Sequence, residues 1–354
     1  MTTKNHHALA DTARRRFLVG AAAATAWLAA PSQAQAWREP KPKAKSKAKP
    51  LTLKVATAAP QGTPWATQLE SIQQRVLALG EGRAKLKIYA GAVLGDDSAT
   101  LSRCRKGGIH MWLGTTSTLS SIIPELAALE LPYLFPNLEV ADEVLDKHLA
   151  KTLDKKLEKL GLAMLFMTEA GQRSIGANFG FVKAAPDLAA KKMCSLPDEV
   201  HLDTWRALGA SPQALPAGEV KTALRASVVD GFDGTLLQTF ASSWYQVVTH
   251  LTLTRHSYQP ALALMHLDTW RGLPDPLRAA LVGEAQDESE SARGRKLVRD
   301  LEKPMLDSFG AAGVAIYDPT RGELEALARA TKPTHERFID KHGASFYKAI
   351  TKHL

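Results

Sequence analysis

Cysteine is nearly absent from this chain: Cys104 and Cys194 are the only two in 354 residues. A disulfide-rich scaffold is excluded, and two cysteines so far apart do not by themselves predict a bridge. The sequence also lacks a glycine-rich phosphate motif after a strand, an internal repeat and a membrane-spanning apolar run. Its eleven histidines show no close metal-ligand spacing; His6 and His7 sit together, but near the N-terminus. The folded body lacks net charge as well. The net charge of +9 suggests a nucleic-acid or membrane partner until it is divided by region. The 50 residues before Leu51 hold ten of the 45 basic residues and two of the 36 acidic ones, so the rest is balanced at 35 to 34. Nucleic-acid binding needs a basic face on the fold itself, and none is expected here.

What the N-terminus does hold reads as an address. Arg14-Arg15-Arg16-Phe17-Leu18 forms the core of a twin-arginine export signal, the mild apolar run Phe17–Ala30 follows, and Ala34-Gln35-Ala36 is a small-x-small cleavage site. The predicted signal peptide is 1–36. Residues 37–50 mix Lys with Pro and Ala, cannot bury apolar surface, and are expected to form a disordered tether. The expected location is the periplasm.

The body reads as α/β. Leu51–Thr57, Ala84–Tyr89 and Ile109–Leu113 read as strands, with helices over Thr63–Leu79 and Asp97–Lys106 between them. This alternation points to a parallel sheet with helices on its faces. A helix over Leu138–Leu160 starts at the N-cap candidate Asn137, a strand follows at Leu162–Thr168, and further helices cover Val200–Leu208 and Ala217–Ala226. Pro274–Phe309 reads as one long polar helix, expected to brace two lobes along their surface.

Several segments then fall in the order of a known family. Leu94-Gly-Asp-Asp97, Lys106-Gly-Gly-Ile-His-Met111, Leu131-Pro-Tyr-Leu-Phe135, Gly171-Gln-Arg173, the stretch from Gly218 to Gly231, Thr254-Arg-His-Ser-Tyr258 and Trp270-Arg-Gly-Leu-Pro274 resemble motifs of the DctP-type solute-binding proteins of TRAP transporters. The resemblance covers about residues 51–350. It implies a two-lobed periplasmic-binding-protein fold with discontinuous lobes, crossing segments and a long C-terminal brace helix. The lobes implied are 51–170 with about 257–297, and 171–256 with about 298–354. It further implies a receptor that is not an enzyme and uses no cofactor or metal. Its partners would be a small organic solute and the small and large TRAP membrane subunits, with no nucleic acid, and the chain would be a monomer or a dimer. A ligand sensor or carrier on the same fold, not coupled to transport, is the alternative reading.

The resemblance also assigns a cleft. The family's carboxylate-clamping arginine falls at Cys194, and a thiol cannot hold a carboxylate through two parallel hydrogen bonds. Lys191 or Lys192 would substitute only if the register slips. Other family cleft positions fall at Ala58, Thr115, Ala217 and Gly234. Arg173 remains as the candidate anion contact, with Phe232 and Asp233 as candidate lining residues; His256 and Tyr258 match a family motif that fits a core role equally. The expectation is a roomier, less charged cleft, for a bulkier and partly apolar ligand rather than a standard dicarboxylate. The rival reading, Cys194 as a nucleophile with His201 or His256 as its base, has no supporting signature.

Overall fold

The computed structural model describes residues 50–283 and 289–354. The expected signal peptide and, apart from Pro50, the expected tether lie outside the described residues. In β1 (Leu51–Thr57), the alternation of buried Leu53 and Val55 with exposed Lys54 is the period of a half-buried strand. Further strands are β2 (Ala84–Tyr89), β3 (Met111–Thr115), β4 (Leu162–Ala177), β5 (Lys192–Ser195), β6 (Ser211–Ala214), β7 (Gly231–Thr235), β8 (His250–His266) and β9 (Ala315–Tyr317).

They form one sheet in the order β2-β1-β3-β8-β4-β7-β5-β6, with β9 paired to β8. β1 is parallel to β2 and β3, and β5 is parallel to β6 and β7; β4 and β8 run antiparallel to each other and to β7 and β3. Two parallel half-sheets are therefore joined by two long strands. Leu162–Thr168 and Ala261–His266 complete the first half beside β3, while Arg173–Ala177 completes the second beside β7. Along β4 the register with β8 shifts at Met164/Phe166, Glu169/Gly171 and Arg173/Ile175, the second of them between these stretches. Such bulges sharpen twist and bend a ladder, so the sheet turns where the halves meet.

Among the described residues no helix is long and apolar enough to cross a membrane. The helix Pro64–Leu79 and its Gly80 C-cap match expectation, and Asn137 caps its helix by accepting from the Val140 N–H at 2.8 Å. The single helix expected over Pro274–Phe309 does not form. It is replaced by Asp275–Val282, ended by Gly283 at φ 75°, then by Glu290–Arg299 and Glu302–Ala311. The last break has a local cause: Pro304 has no N–H to donate back to residue 300, so it fits the first turn of a new helix but not the middle of a continuous one. The long C-terminal helix is Arg321–His342. Phe346 and Ile350, expected in the second lobe, pack in one cluster with Leu126, Leu145 and Leu149 and with Val200 and Phe338.

Candidate functional site

The C-terminal ends of β1, β3, β5 and β7 all face the line where the halves meet, which is where open α/β sheets gather ligand-binding loops. β7 supplies three of the expected residues in succession, Phe232, Asp233 and Gly234, and alternation sends Asp233 to the face opposite the other two. Asp233 shares a face with Ile175, its ladder partner, and with Arg173 two residues before it. Phe232 shares the other face with Cys194, its partner in the parallel ladder.

On the first face lies a buried charge network. Arg173, 1 % exposed, donates from Nε to Asp233 Oδ2 at 2.5 Å, from Nη2 to the Asp233 carbonyl at 2.8 Å and from Nη1 to Gln259 Oε1 at 3.2 Å. Gln259 Nε2 donates to Glu130 Oε2 at 2.9 Å, and His201 Nε2 lies 2.9 Å from the same oxygen. Thr116 Oγ1 donates to Glu130 Oε1 at 2.5 Å. His256 Nε2 is 3.4 Å from Asp233 Oδ2. Burial raises the cost of charging Asp233, but the Arg173 charge and the His256 contact outweigh it and hold the carboxyl well below the usual range. Burial likewise opposes ionising Glu130, and the His201 hydrogen bond wins, leaving this carboxyl low. His256 moves down, mainly through burial.

On the second face the space is filled with apolar side chains. Cys194 packs with Val220, Val229, Phe232, Trp244 and Val248. The Phe232 and Trp244 rings meet edge-on at 4.8 Å, and Phe232 lies over Gly176, where a Cβ would come within 2.5 Å of its ring. A Cβ at Gly234 would sit 3.2 Å from Trp244 and 3.3 Å from Thr239 Oγ1. The volume left by small residues at 194 and 234 is thus taken up by aromatic rings, and the roomier cleft expected there is not found. Burial, with Asp233 adding to it, pushes the Cys194 thiol up to about 12, so it stays protonated; among the described residues no histidine hydrogen-bonds it. Both cysteines are free and buried, in separate clusters. Lys191 lies over the Phe179 ring at 4.8 Å and Lys192 is exposed, so neither takes the clamp's place.

Of the remaining expected residues, Thr115 ends β3 with its Oγ1 2.9 Å from Ser117 Oγ, Ala58 is half-buried just beyond β1, and Ala217 is exposed at the start of its helix. The structure brings Arg173 and Asp233 into contact, pairs Cys194 with Phe232, and leaves Ala217 in solvent.

Beside the network lies a cavity of about 450 Å³. One wall is the Thr116–Ser120 helix and its continuation, with Ser117, Thr118, Ser120 and Ser121, which follow β3 in the first half. The second is Leu196–Asp203, which follows β5 in the second half. The third is the Arg321–His342 helix, with Arg337, Lys341 and His342. Ser120 Oγ donates to Asp198 Oδ2 at 2.6 Å across the gap, and Gln259 Nε2 reaches Ser117 Oγ at 3.3 Å, tying the wall to the network. Arg337 pairs with Asp203 at 3.1 Å and Lys341 with Glu199 at 2.5 Å. Sequence reasoning did not single out Glu130, Ser117, Ser120 or Arg337. Glu130 carried a signal all the same: it is the one acid inside the apolar run Leu126–Leu131, and an acid in such a run needs a buried partner.

Two α/β halves joined by crossing strands, with a hydroxyl-lined cavity between them, define a solute-receptor class of protein. Residues 55–342 match the model of the bacterial extracellular solute-binding protein family 7, and the chain belongs to that family. It is 28 % identical over 272 residues to the 2,3-diketo-L-gulonate-binding periplasmic protein YiaO of Escherichia coli, covering 76 % of this chain and 82 % of that one. It is 28 % identical over 335 residues to the protein y4mM of Sinorhizobium fredii, of whose length it spans 59 %. Among solved structures it is similar to the sugar acid binding protein DctPAm of Advenella mimigardefordensis, in complex with galactonate. That match has a TM-score of 0.80 and 26 % identity, covering 86 % of this chain and 98 % of the other.

Proposed function

We propose that the chain is exported by the twin-arginine route, captures a small polyhydroxylated organic acid between its two halves, and delivers it to a TRAP-type membrane transporter. One observation carries the ligand class: the cavity between the halves is lined by six hydroxyl side chains, those of Ser98, Ser117, Thr118, Ser120, Ser121 and Thr334. Hydroxyls both donate and accept, which suits a polyol backbone, and about 450 Å³ lies in the range of small-molecule pockets. At the third wall Arg337 and Lys341, each already paired with one carboxylate (Asp203 and Glu199), keep further N–H donors for a single acid group. A sugar acid also agrees with the names of the relatives. In this reading Thr115 sits at the cavity edge through Ser117, while Arg173 and Asp233 stand behind the wall and hold it in place.

Calorimetry with galactonate, glucuronate and succinate tests the proposal. Micromolar binding of a sugar acid, lost in Ser117→Ala/Ser120→Ala, is the expected result. Micromolar binding of succinate with no response to the sugar acids overturns the ligand class.

A further inference from the structure

We propose that the buried Glu130–His201 pair is a proton-operated latch between the two halves, holding them together while the imidazole keeps its proton. Glu130 closes the short helical turn Pro124–Glu130 that follows β3, so it belongs to the first half. His201 sits on the Glu199–Ala207 helix that follows β5, so it belongs to the second. Both are almost fully buried, and their contact is 2.9 Å long.

Charge counting gives the contact its sensitivity. The groups facing His201 are Glu130 from the turn, Asp233 from β7 with Oδ2 3.9 Å from Nδ1, Arg173 from β4 and His256 from β8. Two carboxylates then face one guanidinium. With His201 protonated the buried set is neutral; with His201 neutral it holds one uncompensated negative charge, and a buried unpaired charge is strongly unfavourable. Separating the halves takes Glu130 off His201 and lets water reach it. The other charges on that helix are occupied: Arg337 and Lys341 of the Arg321–His342 helix take Asp203 and Glu199. Asp198 accepts from Ser120 and from the Val200 N–H.

The sign follows from the partners. Burial opposes the imidazolium, but the Glu130 hydrogen bond prevails, so His201 is raised above its ordinary 6.5 in this state. The latch is therefore complete below about 6.5 and is lost as pH rises through the raised value. Glu130, held below its ordinary 4.5, sets the acid limit. The window runs from about 4.5 to above 6.5.

The latch rests on the reading that the halves open and close. Single-molecule energy transfer tests both, with dyes at Lys87→Cys on β2 and Arg225→Cys on the Ala217–Arg225 helix, two exposed positions on opposite halves. The native cysteines are buried and should not label. Without added solute, the closed-to-open ratio should fall roughly fivefold between pH 5.5 and 9. His201→Gln should abolish this dependence, and His256→Gln should keep it. If His201→Gln fails to fold by circular dichroism, Glu130→Gln decides, because it should move the midpoint down toward 6.5. Two populations whose ratio ignores pH, or a His201→Gln or Glu130→Gln profile equal to that of the parent, overturn the latch and leave the two-state reading standing. A single population at every pH overturns both.

Discussion

Phe232 and Asp233 are neighbours on one strand, yet they anchor opposite kinds of interior. Asp233 faces a compact set of paired charges that spans both halves; Phe232 faces an apolar cluster confined to the second half. The polar side draws members from β4, β7, β8, the Pro124–Glu130 turn and the Glu199–Ala207 helix, so it reports how the halves sit together. The apolar side draws on β5, β7 and their neighbouring helices and reports only whether the second half is packed. Stability changes on the apolar face should therefore be local, while those on the polar face should also alter the relation between the halves.

The sharpest way to break this contrast is Arg173→Ala. It leaves Asp233 buried without its guanidinium, and unfolding by denaturant should show a loss of about 3–5 kcal/mol. The same pair sets an acid limit. Asp233 is depressed in the folded state, so its contribution is intact above the ordinary value of 3.8 and is lost as pH falls below it. Asp233→Asn should flatten that part of the stability profile. A loss under 1 kcal/mol in Arg173→Ala would mean that water already reaches the network. On the apolar face, Trp244→Ala should cost about 3 kcal/mol through the cavity left against Phe232 and Gly234, with no change in the pH profile. Gly234→Asn comes next, at about 1–3 kcal/mol by overpacking, because its Cβ already meets Trp244 at 3.2 Å. A neutral or stabilising Gly234→Asn would show an open cleft where the structure has a packed one.

The strand–helix alternation of the first half was legible because each element is short and keeps one period: Leu51–Thr57 and Ala84–Tyr89 alternate, and Pro64–Leu79 buries Leu69, Ile72 and Val76 on one face. The crossing strands were not. β4 runs nine residues beyond the expected Thr168, through Gly171 and two of its three register shifts, and β8 contains Pro260 and Arg255 at φ 42°. Glycine, proline and a left-handed residue all argue against a strand locally, and only pairing across the sheet overrides them. The site divides the same way. Arg173 and Asp233 could be picked out along the chain, but their mutual commitment could not, because it depends on two strands 60 residues apart meeting in register. Glu130 and His201 lie further apart still, and neither belongs to a motif.

The smallest expected effect falls on Cys194. The motif resemblance leads us to expect it where a ligand-clamping arginine would stand, whereas the fold puts it against Val220, Phe232 and Trp244 with a thiol pushed up to about 12. A buried thiol of that kind behaves as a small hydrophobe. Cys194→Ala removes one sulfur from the cluster and should cost about 1 kcal/mol, with sugar-acid affinity and the pH response unchanged. In the folded chain neither cysteine should react with a thiol reagent, and both should react after unfolding. The opposite outcome is equally readable. A Cys194→Ala variant that keeps its stability but loses solute binding would put the thiol at the ligand, and the apolar face, not the hydroxyl-lined cavity, would then be where the solute is recognised.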